Sequence, residues 1–111
     1  MKSDVLTCLN DPAMRLKLST DYTLVKRLAH ELDNEPSTVK VEKAFLSIAK
    51  DRNARNIIRA LIRALPNQEM TILNNASAVF ANHASLKAVG PIFPIVVEYE
   101  RKILRIPKKD P

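Results

Sequence analysis

The chain has 111 residues, 46% of them hydrophobic, with eighteen Lys and Arg against twelve Asp and Glu. That length suits one domain with its own core. A net charge of +6 favours an anionic partner, and a single glycine excludes phosphate-cradling loops and dinucleotide fingerprints, which need several. Cys8 is the only cysteine, so an intrachain disulfide is impossible and a cytoplasmic setting is expected. The segment MKSDVLTCLNDPA carries an early acid and no long apolar run, so it does not read as a signal peptide. Ala88 to Val97 is the longest apolar stretch; Gly90, Pro91 and Pro94 break it, and no membrane partner is expected.

Prolines 12, 36, 66, 91, 94 and 107 punctuate the chain, and helices fit between them. Ser3 can cap a short first helix reaching about Leu9. Asp11-Pro12 reads as an N-cap followed by proline at the first helical position, opening a second helix through Leu18. Thr20 or Asp21 caps the third, whose apolar face is Tyr22, Val25, Leu28, Ala29 and Leu32, with Lys26, Arg27, His30 and Glu31 opposite. Asp33-Asn34-Glu35 is a turn, and Pro36-Ser37 restarts the helix. Val41, Ala44, Phe45 and Ile48 form its buried stripe, with Lys40, Lys43, Ser47 and Lys50 on the wet side.

Asp51 or Asn53 then caps a helix over Arg52–Pro66, RNARNIIRALIRALP, unless helix runs unbroken from Ser37 to Leu65. Arg52, Arg55, Arg59 and Arg63 share one face of it, and Ala54, Ile57, Ile58, Leu61, Ile62 and Leu65 another. No carboxylate lies between Asp51 and Glu69. Like charges four apart on a helix repel, so a carboxylate from elsewhere in the fold, a partner or a phosphate backbone should relieve this stripe. Arginine matches both carboxylate and phosphate through bidentate contacts.

Gln68 to Ala81 is the next helix, with Met70, Leu73, Ala76 and Phe80 on one side and Ile72 and Val79 adjoining. Between Glu69 and Glu98 the only charged residue is Lys87, the mark of a core or an oligomer interface. Ile95-Val96-Val97 is locally strand-like. Ile95, Val96, Tyr99, Ile103 and Ile106 nevertheless share one helical arc, and as a strand Arg101 would intrude among the apolar positions. Helix is the better reading, with Pro94 in its first turn and Arg101, Lys102 and Arg105 near its C-terminus. The fold expected is all-α, a bundle of six or seven short helices in one domain over residues 1–106, with 107–111 a flexible tail.

Cys8, His30 and His83 stand apart, so no metal, cofactor or nucleophilic site is expected, nor a small-molecule substrate. Residues 24–45 invite comparison with a helix-turn-helix. Ala29 and Leu32 fit its first helix; Ser37 and Thr38 would meet bases or phosphates, and Val39 would point inward. Asp33 and Asn34 occupy the turn where glycine and an apolar residue are usual, and Glu42 falls on a normally buried position. An ordinary helical hairpin explains the same spacing.

The run 53–80 resembles the FlhD-type subunit of the flagellar master regulator. The resemblance lies in Ala54, Ile57, Ile58, Ala60 and Leu61, then Leu65-Pro66, Met70, Leu73 and the pair Val79-Phe80. Asn67-Gln68-Glu69 makes a longer link than that family has, and Ala81 stands where a cysteine occurs. The resemblance implies a helical dimer that activates transcription beside a larger zinc-bearing subunit. The unrelieved arginine face beside the nearly uncharged stretch leads to the expectation of a non-enzymatic, DNA-associated transcription regulator, acting as a homo-oligomer or hetero-oligomer. Its candidate contacts to duplex DNA or an acidic subunit are Arg52, Arg55, Arg59, Arg63, Lys40, Lys43, Ser37 and Thr38. An adaptor or inhibitor of one acidic protein surface is the alternative. Scarce aromatics favour duplex over single strands.

Overall fold

The computed structural model describes residues 5–83 and 87–105; within these, six α-helices and three 3-10 turns occur and no strand. Val5, Leu6 and Leu9 are buried around the first 3-10 turn, Leu6–Cys8, where a short helix is expected; its proposed cap, Ser3, lies outside the described residues. Helix α1 spans Pro12–Thr20, and Asp11 caps it by accepting a hydrogen bond from the Ala13 N–H at 3.0 Å. Asp21, in extended conformation, closes α1 through its N–H to Lys17 O and opens α2, Tyr22–Asp33, by accepting from the Thr23 N–H. One residue thus serves two helix ends, and a capping side chain of this kind stabilises by about 1 kcal/mol.

Ser37 caps α3, Thr38–Ala49, accepting from the Lys40 N–H at 3.2 Å. Helix α4, Ala54–Ala64, is separate from it, so no continuous helix runs from Ser37 to Leu65. Neither expected cap contributes its side chain to the first turn of α4. Instead Asp51 fixes the preceding turn, accepting from the Asn53 N–H at 2.8 Å through its carboxylate and from the Ala54 N–H at 2.9 Å through its carbonyl. A 3-10 turn, Pro66–Gln68, leads into α5, Glu69–Asn82, and another, Lys87–Ile92, into α6, Phe93–Arg105. The last segment is helical, as its apolar arc requires; Ile106 and the tail 107–111 lie outside the described residues.

Helix α4 is the hub: it packs most broadly on α2 and also touches α1, α3, α5 and α6. Ala54, Ile57, Ile58 and Leu61 are fully enclosed, and Ala60 is nearly so. Burying side chains such as these isoleucines and this leucine is worth about 1.5–3 kcal/mol each. Helices α5 and α6 run antiparallel, because Phe80 meets Phe93 (ring centroids 5.8 Å apart), Tyr99 donates to Asn74, and Lys102 pairs with Glu69. Phe45 and Ile48 of α3 join Leu73, Ile92 and Ile95 in the same apolar cluster.

Two expected core positions turn outward, as does Val39, the inward residue of the helix-turn-helix comparison. Tyr22 is 44% exposed and lies under the Lys26 ammonium, 6.0 Å from its ring centroid; Met70 is 43% exposed. Val39 is 59% exposed. The buried arc of α3 is centred on Ala44, Phe45 and Ile48, and Val39 sits about 200° around the helix from Val41, off that arc. Four residues, 34–37, join α2 to α3, yet α2 packs on α4 and α1 while α3 packs on α5. The pair therefore lacks the inward Val39 contact and the close mutual packing that a helix-turn-helix unit uses.

Candidate anion-binding face

Arg15 organises the approach to α4. Its Nε donates to Asp51 Oδ2 at 2.8 Å and its Nη1 to the Leu9 carbonyl at 2.7 Å, tying α1 to the α3–α4 turn and to the N-terminal segment. Both partners of this ion pair are largely buried. Burial disfavours the Asp51 carboxylate, but the Asn53 N–H and the Arg15 guanidinium outweigh it, and the pKa falls below its usual 3.8.

That turn carries Arg52. It lies ahead of Ala54, the first helical residue, and so does not join the stripe on the helix itself. The reason is local: Asp51 holds 52 and 53 in a turn by the two hydrogen bonds described above. Arg55, Arg59 and Arg63 do share the exposed face of α4, with Asn56 beside them. Eight residues at about 1.5 Å rise place the first and last arginine about 12 Å apart along the axis.

One member of the stripe is relieved from within. Arg59 Nη2 donates to Glu98 Oε1 on α6 at 3.1 Å, across 39 positions of sequence. Among the described residues Arg52, Arg55 and Arg63 have no carboxylate partner. Beside the stripe, a groove of about 300 Å³ opens between α4 and the α1–α2 junction, lined by Asn56, Arg59, Arg63, Ser19, Thr20 and Tyr22 among others. Asp21 also lines it, but its carboxylate already accepts the Thr23 N–H at the start of α2.

The other predicted contacts lie elsewhere. Lys40 and Lys43 are exposed on α3 and line a different groove, against Leu6 and Leu9, that shares no residue with the first. Thr38 is exposed, while Ser37 is half-buried and occupied in capping α3. The predicted contacts therefore divide: Arg55, Arg59 and Arg63 share the face of α4, Arg52 lies in the turn before it, and Lys40 and Lys43 line a separate groove on α3. Sequence reasoning missed Glu98, because its pairing depends on how α6 lies on α4, and missed Asn56, whose helical spacing to Arg59 and Arg63 could have shown it.

Among the described residues no three His, Cys, Asp or Glu side chains gather as metal ligands. No described helix is long and apolar enough to cross a membrane. The fold and its surface thus define a small basic helical bundle with an arginine-bearing central helix. No family model, curated protein or solved structure matches the chain.

Proposed function

We propose that this protein is a non-enzymatic, cytoplasmic, DNA-associated transcription regulator that acts as an oligomer or with a second subunit. Its α4 face meets the phosphate backbone of duplex DNA. The observation that carries this reading is the exposure of Arg55 and Arg63 on either side of Arg59, without a carboxylate partner among the described residues. Three guanidinium groups repeated at one-turn intervals on a rigid, core-anchored helix supply affinity for phosphate, not base discrimination. Sequence preference then comes from a partner subunit or from DNA shape. The FlhD-like run of residues 53–80, which includes α4, is in keeping with this role.

A second reading has one specific observation in its favour. Arg59 already holds a carboxylate in the folded chain, so the same face also suits an acidic protein surface. Titration of duplex DNA across salt separates the two. Phosphate contact makes the logarithm of affinity fall linearly with the logarithm of salt concentration, by about 0.9 for each phosphate neutralised. No binding at low salt, by the protein alone and with any co-purifying partner, refutes the DNA reading.

A further inference from the structure

A groove of about 360 Å³ separates the N-terminal 3-10 turn from α3, remote from the arginine stripe in its lining. Leu6, Leu9 and Ala44, themselves buried, floor it, half-buried Leu46 is an apolar wall, and exposed Lys40 and Lys43 also line it. Both ends of the N-terminal wall are pinned. The Leu6 N–H donates to Glu31 Oε1 at 2.8 Å, and the Leu9 carbonyl accepts from Arg15. Its volume is at the lower end of ordinary binding pockets, about 300–1,000 Å³.

The two lysines lie three residues apart on α3, both exposed, and neither has a carboxylate partner among the described residues. Val39, 59% exposed, lies seven residues and about two turns before Leu46, on the same side of α3. An apolar trough edged by ammonium groups calls for an occupant with aliphatic side chains and carboxylates together. A nucleic-acid strand fits poorly: leucine side chains offer phosphate nothing, and among the described residues no aromatic side chain lines the groove for base stacking.

We infer that this groove docks an acidic amphipathic helix of a protein partner. Leucine-like side chains at i, i+3/i+4 spacing enter the trough, and flanking carboxylates meet Lys40 and Lys43. The net charge of +6 steers such a segment toward the protein. This inference deepens the second-subunit half of the proposed function and is independent of the DNA half.

The test uses the full chain and a fluorescein-labelled synthetic helix bearing leucines at that spacing between glutamates, followed by anisotropy. Saturable binding is expected, and the double variant Lys40→Glu/Lys43→Glu should weaken it about tenfold or more. Replacing the peptide leucines by alanine should weaken it similarly, while Arg55→Ala/Arg63→Ala should leave it unchanged. Both lysines are exposed, so circular dichroism should show the reversed variant folded; Lys40→Ala/Lys43→Ala provides a milder change of the same sign. The inference is overturned by absence of saturable binding to the folded wild type, by unaltered affinity in the lysine variants, or by tolerance of the leucine-free peptide. Loss of the peptide in the arginine variant also overturns it, by placing the site on α4. Duplex DNA titrated in parallel keeps the two readings apart: its failure alone removes the DNA half and leaves the groove standing.

Discussion

Replacing Arg55 and Arg63 together by alanine should cut DNA binding without disturbing the fold. Both side chains are exposed and have no carboxylate partner among the described residues, so each can neutralise a phosphate. At about 0.9 per phosphate, the double variant should lower the salt slope by about 1.8. If each contact contributes about 1 kcal/mol at low salt, affinity falls about thirtyfold. Arg59→Ala should change the slope by less than one such contact, because Glu98 already holds that guanidinium. Thermal stability of the double variant should be unchanged or slightly raised, since repulsion between arginines four apart is relieved and alanine favours helix. The measurement is anisotropy of a labelled duplex over a salt series, with thermal denaturation alongside. An unchanged slope in a folded double variant refutes the assignment of phosphate contacts to α4, and unfolding shows instead that these arginines are structural.

Three other outcomes are expected. Glu98→Gln removes the internal counter-charge and should strengthen duplex binding a few-fold at low salt, read in the same titration; weaker binding would mean that the Arg59–Glu98 contact orients the stripe. The Asp51 carboxylate has its pKa lowered by folding, so it contributes stability above its ordinary 3.8, and that contribution is lost as pH falls through the depressed value. Asp51→Asn should therefore destabilise by about 1–3 kcal/mol near neutral pH and show a shallower loss of stability on acidification below about pH 4, in denaturant unfolding followed by circular dichroism. Phe45→Ala empties a position only 1% exposed and should cost about 3–5 kcal/mol in urea unfolding with the urea dependence retained; a loss below about 1 kcal/mol would contradict its place in the core.

Local signals carried most of the helices. Asp11-Pro12, Asp21 and Ser37 mark helix starts through hydrogen bonds to backbone two or three residues away, information contained within a single turn. The 3.6-residue recurrence of Val25, Leu28 and Ala29, of Ala44, Phe45 and Ile48, and of Ile57, Ile58 and Leu61 likewise fixed which side of each helix is buried. It also placed Arg55, Arg59 and Arg63 on one exposed face of α4, the larger part of the candidate site. The same logic extended the stripe one residue group too far, to Arg52, because the Asp51 turn competes with helix at that point.

Tertiary packing decided what periodicity leaves open. A helical apolar stripe states that a face can be buried, but not how wide the neighbouring elements make the contact. Tyr22 and Met70 consequently stay exposed, while Ala60 is enclosed because α4 has neighbours on several sides. Pairings across long sequence separations, Arg15 with Asp51 and Arg59 with Glu98, depend on helix placement that no local pattern encodes. The leucine-walled groove arises in the same way, where the pinned N-terminal turn meets α3. Sequence determined a bundle of capped helices and an arginine face, since caps and periodicity act within a few residues. Only the packed chain decided which arginine has an internal counter-charge and that the basic contacts divide between two separate surfaces.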